Sequence, residues 1–239
     1  GKRPSQMTSS TRGSVGVIGL GAMGSAMSEH LLASGYQVSG VDIDIERCQA
    51  ASKSGVEITD LSTIASSVDC LITSMPSFDA AFKVLSRSSP MMLSLQHQTI
   101  IIETSTLSLS QKVALNNEVK LSGGILLDCP MSGTAHQARE ADLVAYLSGD
   151  DSEAKMYATS ILESFTRSVL DLGVFGNGTL TKLIANHLVA VHNVAAAEAL
   201  SIANAAGMDL PTVLNAVSAG AGNSRMLEIR GPLMIGEDY

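Results

Sequence analysis

The run Val15-Gly16-Val17-Ile18-Gly19-Leu20-Gly21-Ala22-Met23-Gly24 carries a short apolar strand into a turn with glycines spaced Gly-x-Gly-x-x-Gly. The spacing alone says little, because glycine is common. Its setting says more: the strand Val15 to Leu20 leads into it and a helix opens directly after it. Each glycine then has its own task. Gly19 permits the tight turn, Gly21 lets the backbone come close to a pyrophosphate, and Gly24 lets helix and strand pack closely. Leu20, Ala22 and Met23 complete a turn whose N–H groups and helix dipole suit phosphate.

Strand and helix alternate downstream. The first helix runs from Ala22 to Ala33, with Met23, Met27, His30, Leu31 and Leu32 on its inner side, and Gly35 closes it. Gln37 to Val41 is a second strand, followed by a helix over Ile45 to Lys53. Val68 to Thr73, Thr99 to Ile102 and Gly124 to Leu127 read as further strands, with helices near Asp79 to Ser86 and Leu109 to Leu121 between them. A last strand–helix–strand stretch covers Leu143 to Leu147, Ser152 to Phe165 and Ser168 to Leu170. Such alternation implies a parallel sheet with right-handed crossovers. The β signal ends at Leu172. One long helix, rich in Ala, Leu and Val, then runs from Gly178 to about Ala206, and shorter helices follow around Pro211 to Ser218 and Ser224 to Met234. The expected fold class is α/β: an N-terminal doubly wound Rossmann sheet over residues 14–175, then an all-helical segment over 176–239. Residues 1–13 are polar and basic and read as a disordered tail, whether an expression scar, a transit remnant or neither.

Asp42 ends the second strand about 20 residues after the glycine turn, where an acid can bind both hydroxyls of an adenosine ribose. Its charge would repel a 2′-phosphate, and Ile43 offers no compensating cation. NAD is therefore expected over NADP. Arg47 leaves this open: it is near enough in sequence to attract that phosphate, or it is a solvated helix residue. The net charge of -8 speaks against a nucleic-acid partner. No apolar run is expected to reach the length of a membrane span, so no membrane partner and a cytoplasmic location are expected, an organelle staying open if the tail is a transit remnant. Cys48, Cys70 and Cys129 lie far apart and read as free thiols, and the five histidines form no ligand cluster, so no metal is expected. The long helix is apolar nearly all round, which implies burial and, with it, a homodimer or homotetramer.

Two later segments carry chemistry. Asp128-Cys129-Pro130-Met131-Ser132-Gly133-Thr134 directly follows a strand. Gly176-Asn177-Gly178-Thr179-Leu180-Thr181-Lys182 opens the long helix, and Asn186 lies one turn past Lys182 on the same face. By spacing alone, a surface lysine near a helix start is the simpler reading of Lys182. Taken in order, however, GLGAMG, DCPMSG and GNGTLTKLIAN resemble the β-hydroxyacid dehydrogenase family, whose patterns are GLGxMG, DAPVSGG and GxGxxxKxxNN. The resemblance covers essentially everything after the tail. The late segments AEALSIANAAGMDLP and SAGAGNSRML are most similar to L-threonate dehydrogenases.

The resemblance implies hydride transfer between NAD and a small hydroxy acid of the 3-hydroxyisobutyrate or threonate kind. Lys182 matches the general acid/base, and Asn186 the amide that helps hold substrate. Ser132 and Gly133 match the loop that binds the substrate carboxylate. Thr106 matches a residue near the nicotinamide, and Met75 and Pro76 the strand-end loop over the cofactor. Three departures stand out. Thr134 replaces the second glycine of the carboxylate loop, which narrows the loop or adds a hydroxyl. His187 replaces the second Asn of the helix motif. Family members continue beyond the position of Tyr239 with an FxxxLxxKDL-like segment, so a C-terminally truncated chain with an incomplete helical domain is expected. Two rival readings remain: a non-catalytic dinucleotide-binding module or fragment, and a related carbonyl or imine reductase. Lys182 favours the enzyme over the first, and Ser132, Lys182 and Asn186 together favour a hydroxy acid over the second.

Overall fold

The computed structural model describes residues 12–236. Most of the tail expected over residues 1–13 lies outside them. Arg12 N donates to Gly35 O at 3.2 Å, and Gly13 O accepts from Gln37 N at 2.9 Å.

The apolar runs become strands and the segments between them become covering helices. Strands β1 (Ser14–Ile18), β2 (Gln37–Val41), β3 (Glu57–Ile58), β4 (Cys70–Thr73), β5 (Ile100–Glu103) and β6 (Ile125–Asp128) form a parallel sheet in the order β3-β2-β1-β4-β5-β6. Helices α1 (Ala22–Ala33), α2 (Ile45–Lys53), α3 (Leu61–Ser67), α4 (Phe78–Leu85), α5 (Pro90–Leu93) and α6 (Leu109–Leu121) make the crossovers. The strands are apolar without alternation because both faces of the sheet are covered. Val15, Val17, Ile72, Ile102 and Leu127 pack to one side with Met27 and Leu31. Leu71, Ile101 and Leu126 pack to the other with Ile64, Leu115 and Val119. The winding direction reverses between β1 and β4, which opens a crevice at the carboxyl ends of the strands.

The last strand–helix–strand stretch forms a sheet of its own. Strand β7 (Met131–Ser132) runs antiparallel to β8 (Leu143–Leu147), and β8 runs parallel to β9 (Thr166–Asp171). Pro130, with no N–H to donate, separates β6 from β7. Helices α7 (Ala135–Arg139) and α8 (Ser152–Leu162) connect this sheet.

Glu103 and Asp128 end β5 and β6 as register partners. Both are wholly buried. Lys112, from the α6 crossover that joins these two strands, places its buried ammonium between them. Its Nζ contacts Glu103 Oε2, lies 3.0 Å from Asp128 Oδ1, and donates to Glu103 O at 3.2 Å. Burial opposes the charge on Lys112, but the two carboxylates outweigh it and hold the ammonium above the ordinary lysine range.

The chain divides into two compact units between Lys182 and Leu183. Helix α9 (Asn177–Ala205) starts in the first. The second holds the rest of α9, α10 (Leu210–Ser218) and α11 (Arg225–Ile235). Asp209 caps α10 through Thr212 N at 3.1 Å, and Ser224 caps α11 through Leu227 N at 3.1 Å. One expectation for α9, that no apolar run reaches the length of a membrane span, needs correction. In its second-unit part only Ala196, Leu200 and Ala203 are buried, while Ile184, Val194 and Ile202 are 62%, 59% and 71% exposed. A helix this apolar needs cover on more than one side. Its 29 residues are also long and apolar enough to cross a membrane by length and composition. Lys182, Asn186, His187 and Glu198 interrupt that apolar surface.

Removing the Lys112 ammonium tests the buried cluster. Lys112→Met leaves two carboxylates with no cation and should cost about 3–5 kcal/mol at neutral pH, read by chemical denaturation. Because Lys112 titrates higher in the folded chain than in the unfolded one, the ammonium's contribution is complete below about pH 10.4 and declines as pH rises further. The stability gap between wild type and variant should therefore narrow on that alkaline side. A variant as stable as wild type would show that the cluster does not hold the two strand ends.

Candidate active site

β1 delivers the glycine turn to the crevice. Gly19 sits at φ +94°, and a Cβ there would lie 2.2 Å from Ser74 O; a Cβ on Gly24 would lie 1.8 Å from Gly19 O. Backbone conformation and close approach thus demand these two glycines. Gly21 has open space instead, with only Arg47 Nη1 near, at 3.9 Å from the Cβ position. No side chain caps α1 at Gly21, although side chains cap α2, α3, α4 and α6. Its first N–H groups are left for a ligand. Leu20 is buried, Met23 half-buried and Ala22 exposed. A cleft of 330 Å³ beside the turn is lined by Leu20, Gly21, Ala22, Arg47, Ala51 and Val56, among others.

Asp42 follows β2. Its Oδ2 accepts from Leu20 N at 2.7 Å and its Oδ1 from Asp44 N at 2.9 Å. The carboxylate is therefore tied to the glycine turn itself, and its side chain is only 5% exposed. Arg47, half-exposed, leans over the turn, with Nη1 3.7 Å from Asp42 Oδ2 and Nε 3.4 Å from Asp44 Oδ2.

Met75 and Pro76 follow β4 on the other side of the reversal, and Met75 N donates to Ser105 Oγ at 2.8 Å. Thr106, exposed, follows β5. Gly19, Asp42, Met75, Pro76 and Thr106 thus share the carboxyl edge of one parallel sheet.

Ser132 ends β7 half-buried, and Gly133 and Thr134 are exposed. Thr134 caps α7: its Oγ1 accepts from Gln137 N at 3.3 Å, and its own N donates to Gln137 Oε1 at 3.0 Å. The hydroxyl gained at this position is engaged in starting a helix. His30 ties the far end of α7 to α1, its Nε2 lying 3.1 Å from Ala138 O and 3.0 Å from Arg139 O.

Lys182 is half-buried on α9, and that burial lowers its pKa from the ordinary lysine value. Asn186 and His187 follow within the second unit and are exposed. Among the described residues, no group of three or more His, Cys, Asp or Glu side chains is placed to hold a metal ion.

Beneath these residues runs a polar network that motif reading misses. Asp128 Oδ2 accepts from Thr179 N at 2.7 Å and from Ser148 Oγ at 3.2 Å, while Oδ1 accepts from Thr179 Oγ1 at 2.7 Å. Gly178 N donates to Ser148 Oγ at 2.9 Å. The signals for it are faint but present. Glu103 and Asp128 each close an apolar strand, and Lys112 shares the inner stripe of α6 with Leu115, Asn116 and Val119.

Residues 14–176 match the family described as the NAD binding domain of 6-phosphogluconate dehydrogenase. Residues 176–239 match the family described as NAD-binding of NADP-dependent 3-hydroxyisobutyrate dehydrogenase. The chain is 31% identical over 227 residues to an L-threonate dehydrogenase of Cupriavidus necator, an alignment covering 94% of this chain and 76% of that protein. It is 29% identical over 205 residues to the mitochondrial 3-hydroxyisobutyrate dehydrogenase of Mus musculus, covering 84% of this chain and 61% of that protein. The solved structure of a Mycobacterium tuberculosis 3-hydroxyisobutyrate dehydrogenase with L-serine matches the fold with a TM-score of 0.87 at 24% identity, covering 92% of this chain and 75% of that one. A 3-hydroxyisobutyrate dehydrogenase from Salmonella typhimurium matches with a TM-score of 0.78 at 26% identity, covering 95% and 79%. With the glycine turn, the DCPMSG loop and the lysine-bearing helix standing in that order on this fold, the chain belongs to the β-hydroxyacid dehydrogenase family.

Proposed function

We propose that the chain carries the dinucleotide site and the acid/base lysine of a nicotinamide-dependent dehydrogenase that oxidises a small hydroxy acid reversibly. The observation that carries this reading is the pairing, in one compact unit, of an open, uncapped glycine turn with a lysine whose pKa is lowered by burial. The residues present fit a dinucleotide: Gly21 and the first turn of α1 suit the pyrophosphate, and Asp42 suits the ribose. When bound, the nicotinamide supplies the hydride acceptor.

The chain's own residues supply the rest. The Ser132 hydroxyl and Gly133 N–H hold the substrate carboxylate, and Thr134 stiffens that loop by capping α7. Orientation of this kind is worth several kcal/mol of barrier. Lys182 Nζ takes the proton of the substrate hydroxyl as an uncharged amine, and its burial raises the uncharged fraction near neutral pH. Asn186 positions the lysine or the substrate oxygen without adding charge. Met75, Pro76 and Thr106 border the nicotinamide side. The names of the relatives support 3-hydroxyisobutyrate or L-threonate as first substrates to try. The exposed apolar side of α9 supports a homodimer or homotetramer.

Asp42 favours NAD. Arg47, leaning over the same turn, softens the discrimination against NADP.

NAD⁺ reduction on a panel of hydroxy acids tests the reading. Lys182→Ala should lose at least about 100-fold in turnover while NAD⁺ binding is kept; full turnover would end the acid/base assignment. The acid limb of the wild-type rate should lie below about pH 10.4, because burial lowers the lysine pKa. For the cofactor, Asp42→Ala should weaken NAD⁺ more than NADP⁺, and Arg47→Ala should weaken NADP⁺ more than NAD⁺, both read by titration calorimetry. Equal losses for the two dinucleotides would overturn the preference for NAD.

A further inference from the structure

We propose that Glu103, Lys112 and Asp128 form a positioning network that locates the first turn of α9 against the loop after β4, and thereby sets where the Lys182 amine stands; the proposal rests on the functional reading above. The network is continuous within the first unit. Met75 N donates to Ser105 Oγ at 2.8 Å, and Ser105 N donates to Glu103 Oε1 at 3.0 Å. Glu103 Oε2 meets Lys112 Nζ, which lies 3.0 Å from Asp128 Oδ1. Asp128 then receives both the N–H and the hydroxyl of Thr179 at 2.7 Å. Lys182 follows three residues later, one turn along α9.

The choice of cap separates positioning from plain stability. Helices α2, α3, α6, α8 and α10 are each started by the side chain immediately before them: Asp44, Asp60, Ser108, Asp151 and Asp209. A local cap of that kind is enough to satisfy the first N–H groups. Helix α9 is started instead by a carboxylate 51 residues away in sequence, at the end of a sheet strand. That carboxylate is buried beside a second one and an ammonium, which carries a desolvation penalty that a local cap avoids. What the distant cap adds is location relative to the sheet edge. Gly178 tightens it further, since a Cβ there would lie 2.3 Å from Tyr146 O. Location matters because misplacement by about 1 Å can cost on the order of 100-fold in rate.

The test is acetylation of Lys182 by acetic anhydride in the full chain, followed across pH by peptide mass spectrometry, with and without NAD⁺. Wild-type Lys182 should react with a midpoint below about pH 10.4, and NAD⁺ should slow the reaction. In Thr179→Val and Asp128→Asn the midpoint should rise by about one unit as the first turn frays and Lys182 gains water, and protection by NAD⁺ should be lost. NAD⁺ affinity should stay at the wild-type value, and Thr179→Ser should restore both readouts. Where Asp128→Asn does not fold, Thr179→Val decides, because it keeps all three buried charges and the Thr179 N–H. A Thr179→Val protein with wild-type midpoint and wild-type protection would overturn the proposal. NAD⁺ that binds wild type without slowing acetylation would instead overturn the functional reading, and the midpoints measured without NAD⁺ would still judge the network.

Discussion

Glu103 and Asp128 lie on adjacent strand ends, so the sheet can close there only if something neutralises two neighbouring carboxylates held away from water. Even at an effective dielectric of about 20, two like unit charges about 5 Å apart repel by roughly 3 kcal/mol. Lys112 meets that constraint from the helix that must in any case cross between the two strands. The phase of α6 is then no longer free: turning it so that Lys112 faces inward also turns Leu115 and Val119 onto the sheet. One electrostatic requirement therefore fixes strand ends and crossover helix together. The four hydrogen bonds and contacts on the Asp128 carboxylate carry the same requirement on to α9.

The ligand-facing edge owes its arrangement to connectivity. Each parallel strand ends on the same side, so each strand-to-helix loop is delivered to that side whatever its sequence. The strand order reverses between β1 and β4, and there the loops diverge and leave a crevice. The glycine turn and the Met75–Pro76 segment flank that crevice because they follow those two strands. Chemistry at the edge is then a matter of which side chains the loops carry, on a scaffold already determined by apolar packing on both faces of the sheet.

Much of this was legible because helix and strand periods differ. Helices α1, α2 and α6 and strands β2 and β8 fall on the residues that apolar spacing and glycine or polar stops imply. The short elements β3, α3, α5 and α7 leave too few residues for a period to show. The separate small sheet was hidden, since residues 143–147 spell a strand without naming its neighbour. The glycine turn was the clearest part of the site, because steric demand leaves a mark on residue type. The Asp128 cluster left almost none. A carboxylate saturated by a distant lysine, threonine and serine is a product of the fold, and local spacing does not reveal it. For α9, composition signalled burial, but cover depends on what lies around a helix, which composition does not record.

Thr134 stands at the second glycine of the family pattern DAPVSGG that this loop resembles, and its side chain serves the start of α7 through Gln137. Serine, aspartate and asparagine can make the same bond. Drift at this site is thereby channelled toward small polar residues, all of them compatible with an intact helix. A lineage can pass through several such neighbours, each presenting a slightly different polar group beside Ser132, without first losing the start of α7.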